Sequence, residues 1–259
     1  MLIDRQVIAH RGASAHAPEN TLAAFDKAEA MGARWIEFDV MLSADGEAFV
    51  FHDETLHRTT DGKGELGTVS AEYIASLNAG SWFSHDYREE KVPTFRETLA
   101  WFACREIQAN IEIKPFSGRT QETTLAVLNH LHLYWPRAKK QPLVSSFDVE
   151  AIRLCRSLIP ELPLGLLFDK WRDDALLLLN ELTCCVAMLS KRITTPERVR
   201  LLKNQGIAVF VYTVNRRREA LRYLRWGVDA VFSNYPLLLS EHWFTMLLKK
   251  ILDKRNGVA

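Results

Sequence analysis

One segment organises the chain, Trp35-Ile-Glu37-Phe-Asp39-Val-Met-Leu-Ser-Ala-Asp45-Gly46-Glu-Ala-Phe-Val-Phe-His52-Asp53. Glu37 and Asp39 stand two residues apart in an apolar run, so on an extended strand their side chains point to the same side. Asp45-Gly46 is a hairpin turn signal, and a second strand returns after it. With the turn centred there, paired residue numbers sum to roughly 90 or 91, which puts His52 opposite or close to Phe38. The segment predicts an imidazole beside two carboxylates; taken alone, it is equally typical of a solvated edge hairpin.

Strand-like and helical patterns alternate through the rest of the chain. Strands are predicted at 7–10, 109–114, 143–147, 164–168, 186–189, 208–214 and 230–233. Helices are predicted at about 20–31, 94–103, 119–134, 148–157, 173–182, 195–205, 216–226 and 236–254. With the first hairpin strand but not its return strand, the count is eight strand–helix units. Eight units in about 250 residues, without a GxGxxG after the first strand, favour a closed (β/α)8 TIM barrel over a doubly wound sheet.

Residues 54–93 break this alternation, with only a short helical pattern near residues 70–77. We interpret them as a small insertion after the second-strand hairpin, within a single domain that spans residues 1–259.

Composition restricts the partners and the compartment. The formal net charge of +1 gives no whole-molecule attraction to nucleic acid or to an anionic membrane. The sequence shows no signal-peptide core and no uncharged apolar stretch of about 18 residues, so we expect a cytoplasmic protein without a transmembrane segment. Reduced core thiols are the expectation for the cysteines, which lack metal-type spacing: Cys104, Cys155, Cys184 and Cys185.

Polar residues collect at the predicted carboxyl ends of the strands, where (β/α)8 barrels carry their active sites. They are His10, Arg11, Glu37, Asp39, Glu112, Lys114, Ser146, Tyr212 and Asn215, joined by His52 through the hairpin. Each has a simpler explanation when taken alone: His10 suits a structural histidine, and Glu112 with Lys114 suits an ion pair at the barrel mouth. Buried charge is costly unless it is paired or metal-bound, so their convergence favours one site.

The residue types in this set point to a reaction class. The three carboxylates, Glu37, Asp39 and Glu112, suit one hard divalent cation bound through oxygen. Arg11 and Lys114 suit an anion such as phosphate. His10 and His52 suit a proton donor and acceptor. A metal, an anion and an acid/base pair together describe metal-assisted cleavage of a phosphodiester.

The ordered motifs resemble those of the glycerophosphodiester phosphodiesterase family. They are His10-Arg11-Gly12-Ala-Ser14, Pro18-Glu19-Asn20-Thr21, Ile36-Glu37-Phe-Asp39-Val40, His52-Asp53 with Leu56 and Arg58-Thr59-Thr60, and Ile111-Glu112-Ile-Lys114-Pro115. Ser145-Ser-Phe147 and Tyr212-Thr-Val-Asn215 match later parts of the pattern. The similarity covers roughly residues 5–240 and is strongest to the cytoplasmic bacterial members.

The resemblance implies a TIM barrel that hydrolyses deacylated phospholipids, such as glycerophosphocholine or glycerophosphoethanolamine, to sn-glycerol 3-phosphate and an alcohol. It implies that Glu37, Asp39 and Glu112 hold the cation, which we expect to be Mg²⁺, with Ca²⁺ as the alternative. It also implies that His10 and His52 are the acid/base pair. The implied phosphate or substrate contacts are Arg11, Lys114 and Tyr212.

Two positions depart from the family pattern, because many members carry Trp in place of Tyr212 and Asp in place of Asn234. Trp82 and Phe83 in the insertion could form a substrate wall or pack the insertion onto the barrel rim. Two other functions are compatible with parts of this sequence: a phospholipase docked through a basic amphipathic helix at residues 242–255, and a barrel that binds phosphodiesters without catalysis. Both histidines and all three carboxylates are present, which argues against the second.

Overall fold

The predicted (β/α)8 barrel is confirmed in the computed structural model, which describes residues 6–240. Eight parallel strands form the barrel, and it closes where β1 pairs with both β2 and β9. These strands are β1 (Gln6–His10), β2 (Trp35–Leu42), β4 (Gln108–Ile113), β5 (Leu143–Ser146), β6 (Leu164–Phe168), β7 (Val186–Ser190), β8 (Ala208–Tyr212) and β9 (Ala230–Ser233). The remaining strand, β3 (Ala48–Val50), runs antiparallel to β2.

Helices follow the strands, and most begin at a residue with a capping side chain. They are α1 (Leu22–Ala30), α2 (Ala71–Ser76), α3 (Phe95–Ala103), α4 (Thr120–Tyr134), α5 (Val149–Leu158), α6 (Ala175–Glu181), α7 (Pro196–Asn204) and α8 (Arg217–Arg225). Thr21, Ser70, Thr94, Asp148 and Thr195 each accept a hydrogen bond from a backbone N–H in the first turn of the following helix. None of these helices is both long and apolar enough to cross a bilayer.

The last predicted helix, at 236–254, is not present where it was expected to start. Residues 236–239 form turns, closed by hydrogen bonds from Leu238 N–H to the carbonyl of Tyr235 and from Ser240 N–H to that of Leu237. The rest of this segment, including the basic stretch at residues 242–255, lies outside the described residues.

The hairpin has the predicted register. Val40 pairs with Val50 and Leu42 with Ala48, so paired residue numbers sum to 90. One residue beyond the strand, the Phe51 N–H still donates to the carbonyl of Asp39. The same register places the next residue, His52, level with Phe38.

A strand period of two explains why polar groups meet inside one end of the barrel. Ile8, Trp35 and Phe210 belong to an apolar cluster inside the barrel. Because alternate residues of a strand point to the same side, the inward-facing residues of several strands meet in this cluster. Two residues further along the same strands stand His10, Glu37 and Tyr212, which therefore share that inward face. Pairing across β2 and β4 puts Asp39 level with Glu112.

Residues 54–93 pack against the hairpin through an apolar cluster. Met41, Phe49 and Phe51 on the hairpin side meet buried residues of this segment: Leu56, Leu66, Ile74, Leu77, Ala79 and Val92. The packing is consistent with an insertion, and the single-domain assignment stays a prediction. All four cysteines are free; Cys104 is exposed, Cys185 is half-buried, and Cys155 and Cys184 are buried.

Candidate active site

A cavity of about 110 Å³ opens at the carboxyl ends of the barrel strands. Its walls are His10, Arg11, Glu37, His52, Asn110, Glu112, Phe147, Leu167, Tyr212, Thr213 and Phe232. Six of the eight predicted site residues are in this set. Lys114 lines an adjoining groove together with His52. Asp39 is buried and contacts Arg11, which is one of the lining residues.

The three predicted metal ligands lie together. Glu37, Asp39 and Glu112 are all buried, and each offers an oxygen within 4.8 Å of the others. Oε1 of Glu112 is buried and has no hydrogen-bond partner among the described residues. An orphaned carboxylate oxygen beside two other buried carboxylates is what a hard divalent cation would satisfy, so the donor set fits such an ion.

Burial and mutual repulsion set the charges of these carboxylates. Burial, reinforced by the charge of Asp39, raises the pKa of Glu112 to about 7 and that of Glu37 well above its usual range. Burial acts in the same direction on Asp39, but Arg11 and Lys114 outweigh it and lower the pKa of Asp39 to about 2. Asp39 is therefore firmly ionised, while Glu37 and Glu112 need additional positive charge nearby to be fully ionised at neutral pH.

The backbone of the turn after β1 positions Arg11. Arg11 adopts φ 55° and Gly12 adopts φ 80°, which lies in the left-handed region. A Cβ on Gly12 would come within 2.7 Å of backbone atoms of Ala24, so only glycine fits. In this turn the Arg11 N–H donates to Oε2 of Glu37 at 2.9 Å, and Nε of Arg11 lies 3.3 Å from Oδ2 of Asp39.

Lys114 and Asn20 complete the surroundings of Asp39. Nζ of Lys114 lies 3.7 Å from Oδ1 of Asp39 and 3.9 Å from Oε1 of Glu112. Nδ2 of Asn20 donates to Oδ2 of Asp39 at 2.9 Å. The ion pair that the sequence offered as a simple explanation for Lys114 is thus present, and it lies within the carboxylate cluster.

His10 is held by a neutral partner. Its Nδ1–H donates to Oδ1 of Asn234 at 2.8 Å, and the backbone N–H of Asn234 donates in turn to Oδ1 of Asn215. Burial, with a contribution from the charge of Arg11, lowers the pKa of His10 to about 3. His10 is therefore a neutral imidazole at neutral pH.

His52 is held by a charged partner. Its Nδ1 lies 2.5 Å from Oδ1 of Asp53, a carboxylate that also accepts hydrogen bonds from Arg58. Arg58 and His52 outweigh the effect of burial and hold the pKa of Asp53 well below its usual range. Since ionised Asp53 only accepts hydrogen bonds, the proton of this contact is on Nδ1, and Nε2 is the free nitrogen of His52.

Two aromatic residues line the cavity together with the carboxylates. Phe147 and Tyr212 pack edge to face at 5.8 Å, and Phe147 is 44% exposed. The Tyr212 hydroxyl is buried without a partner among the described residues, and burial raises its pKa. Trp82 and Phe83 are absent from the described cavity lining; they pack edge to face with each other, and Phe83 packs on Tyr87.

Comparison with known proteins identifies the family. The profile described as "Glycerophosphoryl diester phosphodiesterase family" matches residues 10–238. The chain belongs to this family. A glycerophosphodiester phosphodiesterase of Bacillus subtilis is 34% identical over 90% of this chain and 85% of its own length. One from Caldanaerobacter subterraneus subsp. tengcongensis is 33% identical over 89% of this chain and 94% of its own. The family is one of hydrolases.

A solved structure agrees with the sequence comparison. It is an Oleispira antarctica phosphodiesterase in complex with the product sn-glycerol-3-phosphate, and it is 37% identical to this chain. The two superpose with a TM-score of 0.86, over 89% of this chain and 93% of that one.

Several residues in or next to the candidate site had no role assigned from the sequence. They are Glu19, Asn20, Asp53, Arg58, Asn110, Phe147, Thr213 and Asn234. Most of them stand in or beside the family motifs quoted above, and this position in the motifs is the signal in the sequence that could have identified them. Two predicted barrel-mouth residues hold neighbouring segments instead: Ser146 donates to the carbonyl of Ile113, and Oδ1 of Asn215 accepts from the Ser233 hydroxyl and from the Asn234 N–H.

Proposed function

We propose that this protein hydrolyses glycerophosphodiesters, the deacylated phospholipids such as glycerophosphocholine and glycerophosphoethanolamine, to sn-glycerol 3-phosphate and an alcohol. The observation that carries the proposal is the meeting of three buried carboxylates, two histidines and Arg11 around one cavity. The family membership and the product bound to the Oleispira antarctica relative support it.

Glu37, Asp39 and Glu112 would hold one divalent cation, and we propose Mg²⁺, in keeping with the cytoplasmic location expected from the sequence. When bound, the cation would offset phosphate charge and acidify a hydroxyl group of the substrate. The buried Oε1 of Glu112, which has no hydrogen-bond partner among the described residues, supports this assignment.

Arg11 and Lys114 would bind the phosphate. Both lie against Asp39, so their charge stands at the carboxylate cluster and not on the outer surface. The guanidinium of Arg11 presents several N–H donors in a fixed plane, which suits phosphate oxygens, whereas Lys114 supplies a compact charge. Tyr212 would contact the substrate through its buried hydroxyl.

His10 and His52 would act as the acid/base pair. Each donates its Nδ1–H to a fixed partner, Asn234 or Asp53, and this leaves Nε2 of both rings to exchange protons with the substrate. One ring would remove a proton from the attacking hydroxyl, and the other would protonate the departing alcohol. Their partners differ in charge, so the two rings are suited to opposite roles.

The size of the cavity favours a small substrate. A volume of about 110 Å³ is well below the 300–1,000 Å³ usual for drug-sized ligands, which suits a glycerol phosphate group more than acyl chains. We therefore expect turnover of glycerophosphocholine and none of intact phosphatidylcholine.

A panel of glycerophosphodiesters, assayed for sn-glycerol 3-phosphate with Mg²⁺, with Ca²⁺ and with chelator, tests the proposal. Release that requires a cation supports it. Binding of the diesters without turnover in either cation would indicate a non-catalytic barrel, and equal turnover of phosphatidylcholine vesicles would indicate a phospholipase.

A further inference from the structure

Arg58 bridges two carboxylates that belong to different parts of the site. Its guanidinium donates to both oxygens of Asp53, from Nη2 to Oδ1 at 2.9 Å and also from Nε to Oδ2. It also donates to both oxygens of Glu19, from Nη1 to Oε2 at 2.8 Å and from Nη2 to Oε1 at 2.7 Å. Four of the five guanidinium N–H groups are therefore engaged, two with each carboxylate, and this holds the three side chains in a fixed arrangement.

Each carboxylate holds a residue of the cavity. Asp53 accepts from Nδ1 of His52 at 2.5 Å. Glu19 accepts from Nη1 of Arg11 at 2.6 Å. A continuous chain of hydrogen bonds therefore runs from His52 through Asp53, Arg58 and Glu19 to Arg11, and Arg58 is its central member.

The exposure of Arg58 limits what its ion pairs contribute to folding stability. The Arg58 side chain is 41% exposed, and ion pairs exposed to solvent contribute little to stability. Glu19 and Asp53 are more buried, with side-chain exposures of 14% and 22%. Glu19 and Asp53 contact the cavity residues Arg11 and His52, whereas Arg58, which binds both carboxylates, is the more exposed member.

We propose that Arg58 is a positioning residue, which fixes Asp53 and Glu19 so that His52 keeps its Nδ1–H tautomer and Arg11 keeps its orientation at the cavity. The proposal rests on the roles given above to His52 and Arg11. It adds a residue outside the cavity lining on which catalysis and phosphate binding both depend.

The chain offers a matched control in Arg153. This arginine is 42% exposed and also bridges two carboxylates, Glu150 and Glu181, but it lies on α5, and none of the three residues lines the cavity. Arg58→Gln and Arg153→Gln each remove one exposed arginine from between two acidic side chains. Only the first should affect turnover.

The first readout is kinetic. Arg58→Gln should lower kcat by about 10-fold or more, the usual scale for loss of an outer hydrogen-bond partner, and should raise KM. Asp53→Asn should mainly lower kcat, and Glu19→Gln should mainly raise KM, because they act on His52 and on Arg11 respectively. Arg58→Lys keeps the charge but cannot span both carboxylates, so it should remain impaired.

The second readout is the tautomer of His52, which does not depend on the reaction. In ¹⁵N-labelled protein at about pH 8, above the ordinary histidine pKa, the protonated and bare ring nitrogens give separate NMR signals. The wild-type ring should carry its proton on Nδ1. In Arg58→Gln the two signals should move toward each other as the second tautomer becomes populated, with no change in Arg153→Gln.

The combination of results separates this proposal from the proposed function. A wild-type protein without phosphodiesterase activity would contradict the function, while the NMR comparison would still test Arg58. In an active enzyme, an Arg58→Gln variant with kcat within about twofold of wild type, or with unchanged His52 signals, overturns the proposal. Full activity of Arg58→Lys would overturn it as well, because charge alone would then suffice.

Discussion

Oδ1 of Asn234 lies 2.8 Å from Nδ1 of His10, although the two residues are 224 positions apart in the chain. Closure of the barrel accounts for the contact, because β1 pairs with β9 and Asn234 directly follows β9. The partner of His10 is thus a neutral amide, whereas the partner of His52 is the carboxylate of Asp53.

Replacing this amide by a carboxylate should shift the pH profile. Burial and Arg11 lower the pKa of His10 to about 3, and a carboxylate at position 234 would stabilise the imidazolium and raise that pKa. The neutral form of His10 would then be lost at a higher pH. In Asn234→Asp, the acidic limb of kcat/KM should move upward by about one pH unit or more.

The control for this prediction is Asn180→Asp, which adds the same charge at an exposed position of α6. Its pH profile should match that of wild type. An acidic limb that stays in place in Asn234→Asp would show that His10 does not set it.

Metal-free protein should lose stability as the pH rises. Glu112 has a folded-state pKa of about 7, above the ordinary value of 4.5, so between these values the folded state binds more protons than the unfolded state. The free energy of unfolding therefore falls across this window, by as much as about 3 kcal/mol from this group. Thermal melts at several pH values should show a smaller decline in Glu112→Gln. Parallel declines in both proteins would contradict the assignment.

Gly12→Ala should damage both stability and activity. The added Cβ would come within 2.7 Å of the Ala24 backbone at φ 80°, so the turn that carries Arg11 must move. Gly32→Ala is the matched control, because Gly32 has φ 79° but no atom within 4 Å of the added Cβ. Gly32→Ala should cost about 1 kcal/mol and keep activity. Gly12→Ala should lower the melting temperature further and raise KM; equal effects in both variants would exclude the close approach as the cause.

A substrate without the glycerol 2-hydroxyl should bind but scarcely react. One cluster of three carboxylates is sufficient for one cation and sparse for two, which favours attack by a hydroxyl already on the substrate. Such intramolecular attack can reach effective molarities of about 10⁵ M or more. It would form a cyclic glycerol phosphate and release the alcohol, and water would then open the ring. Rapid hydrolysis of a 2-deoxy glycerol analogue would point to direct attack by water.

The sequence predicts most of the barrel and six of the residues that line its cavity, because these depend on local periodicity. Alternation in β2 puts Glu37 and Asp39 on one face, and the Asp45-Gly46 turn sets the register that brings in His52. Six of the eight predicted site residues line the cavity for these reasons.

Contacts between distant segments could not be predicted in the same way. The pairing of His10 with Asn234 requires barrel closure, and that of Arg58 with Glu19 requires the fold of residues 54–93 over the hairpin. The conformation of Arg11 also depends on the close approach of Gly12 to α1. Periodicity carries no information about any of these three relationships.

The most direct test of the central claim is sn-glycerol 3-phosphate release from glycerophosphocholine, measured for wild type and Glu112→Gln over a range of Mg²⁺ concentrations. Chelator should abolish wild-type release, and added cation should restore it. Glu112→Gln should need more cation and reach a lower rate, while Glu72→Gln, an exposed change on α2, should match wild type. Full wild-type activity in chelator, or a Glu112→Gln titration curve that coincides with that of wild type, would contradict the account.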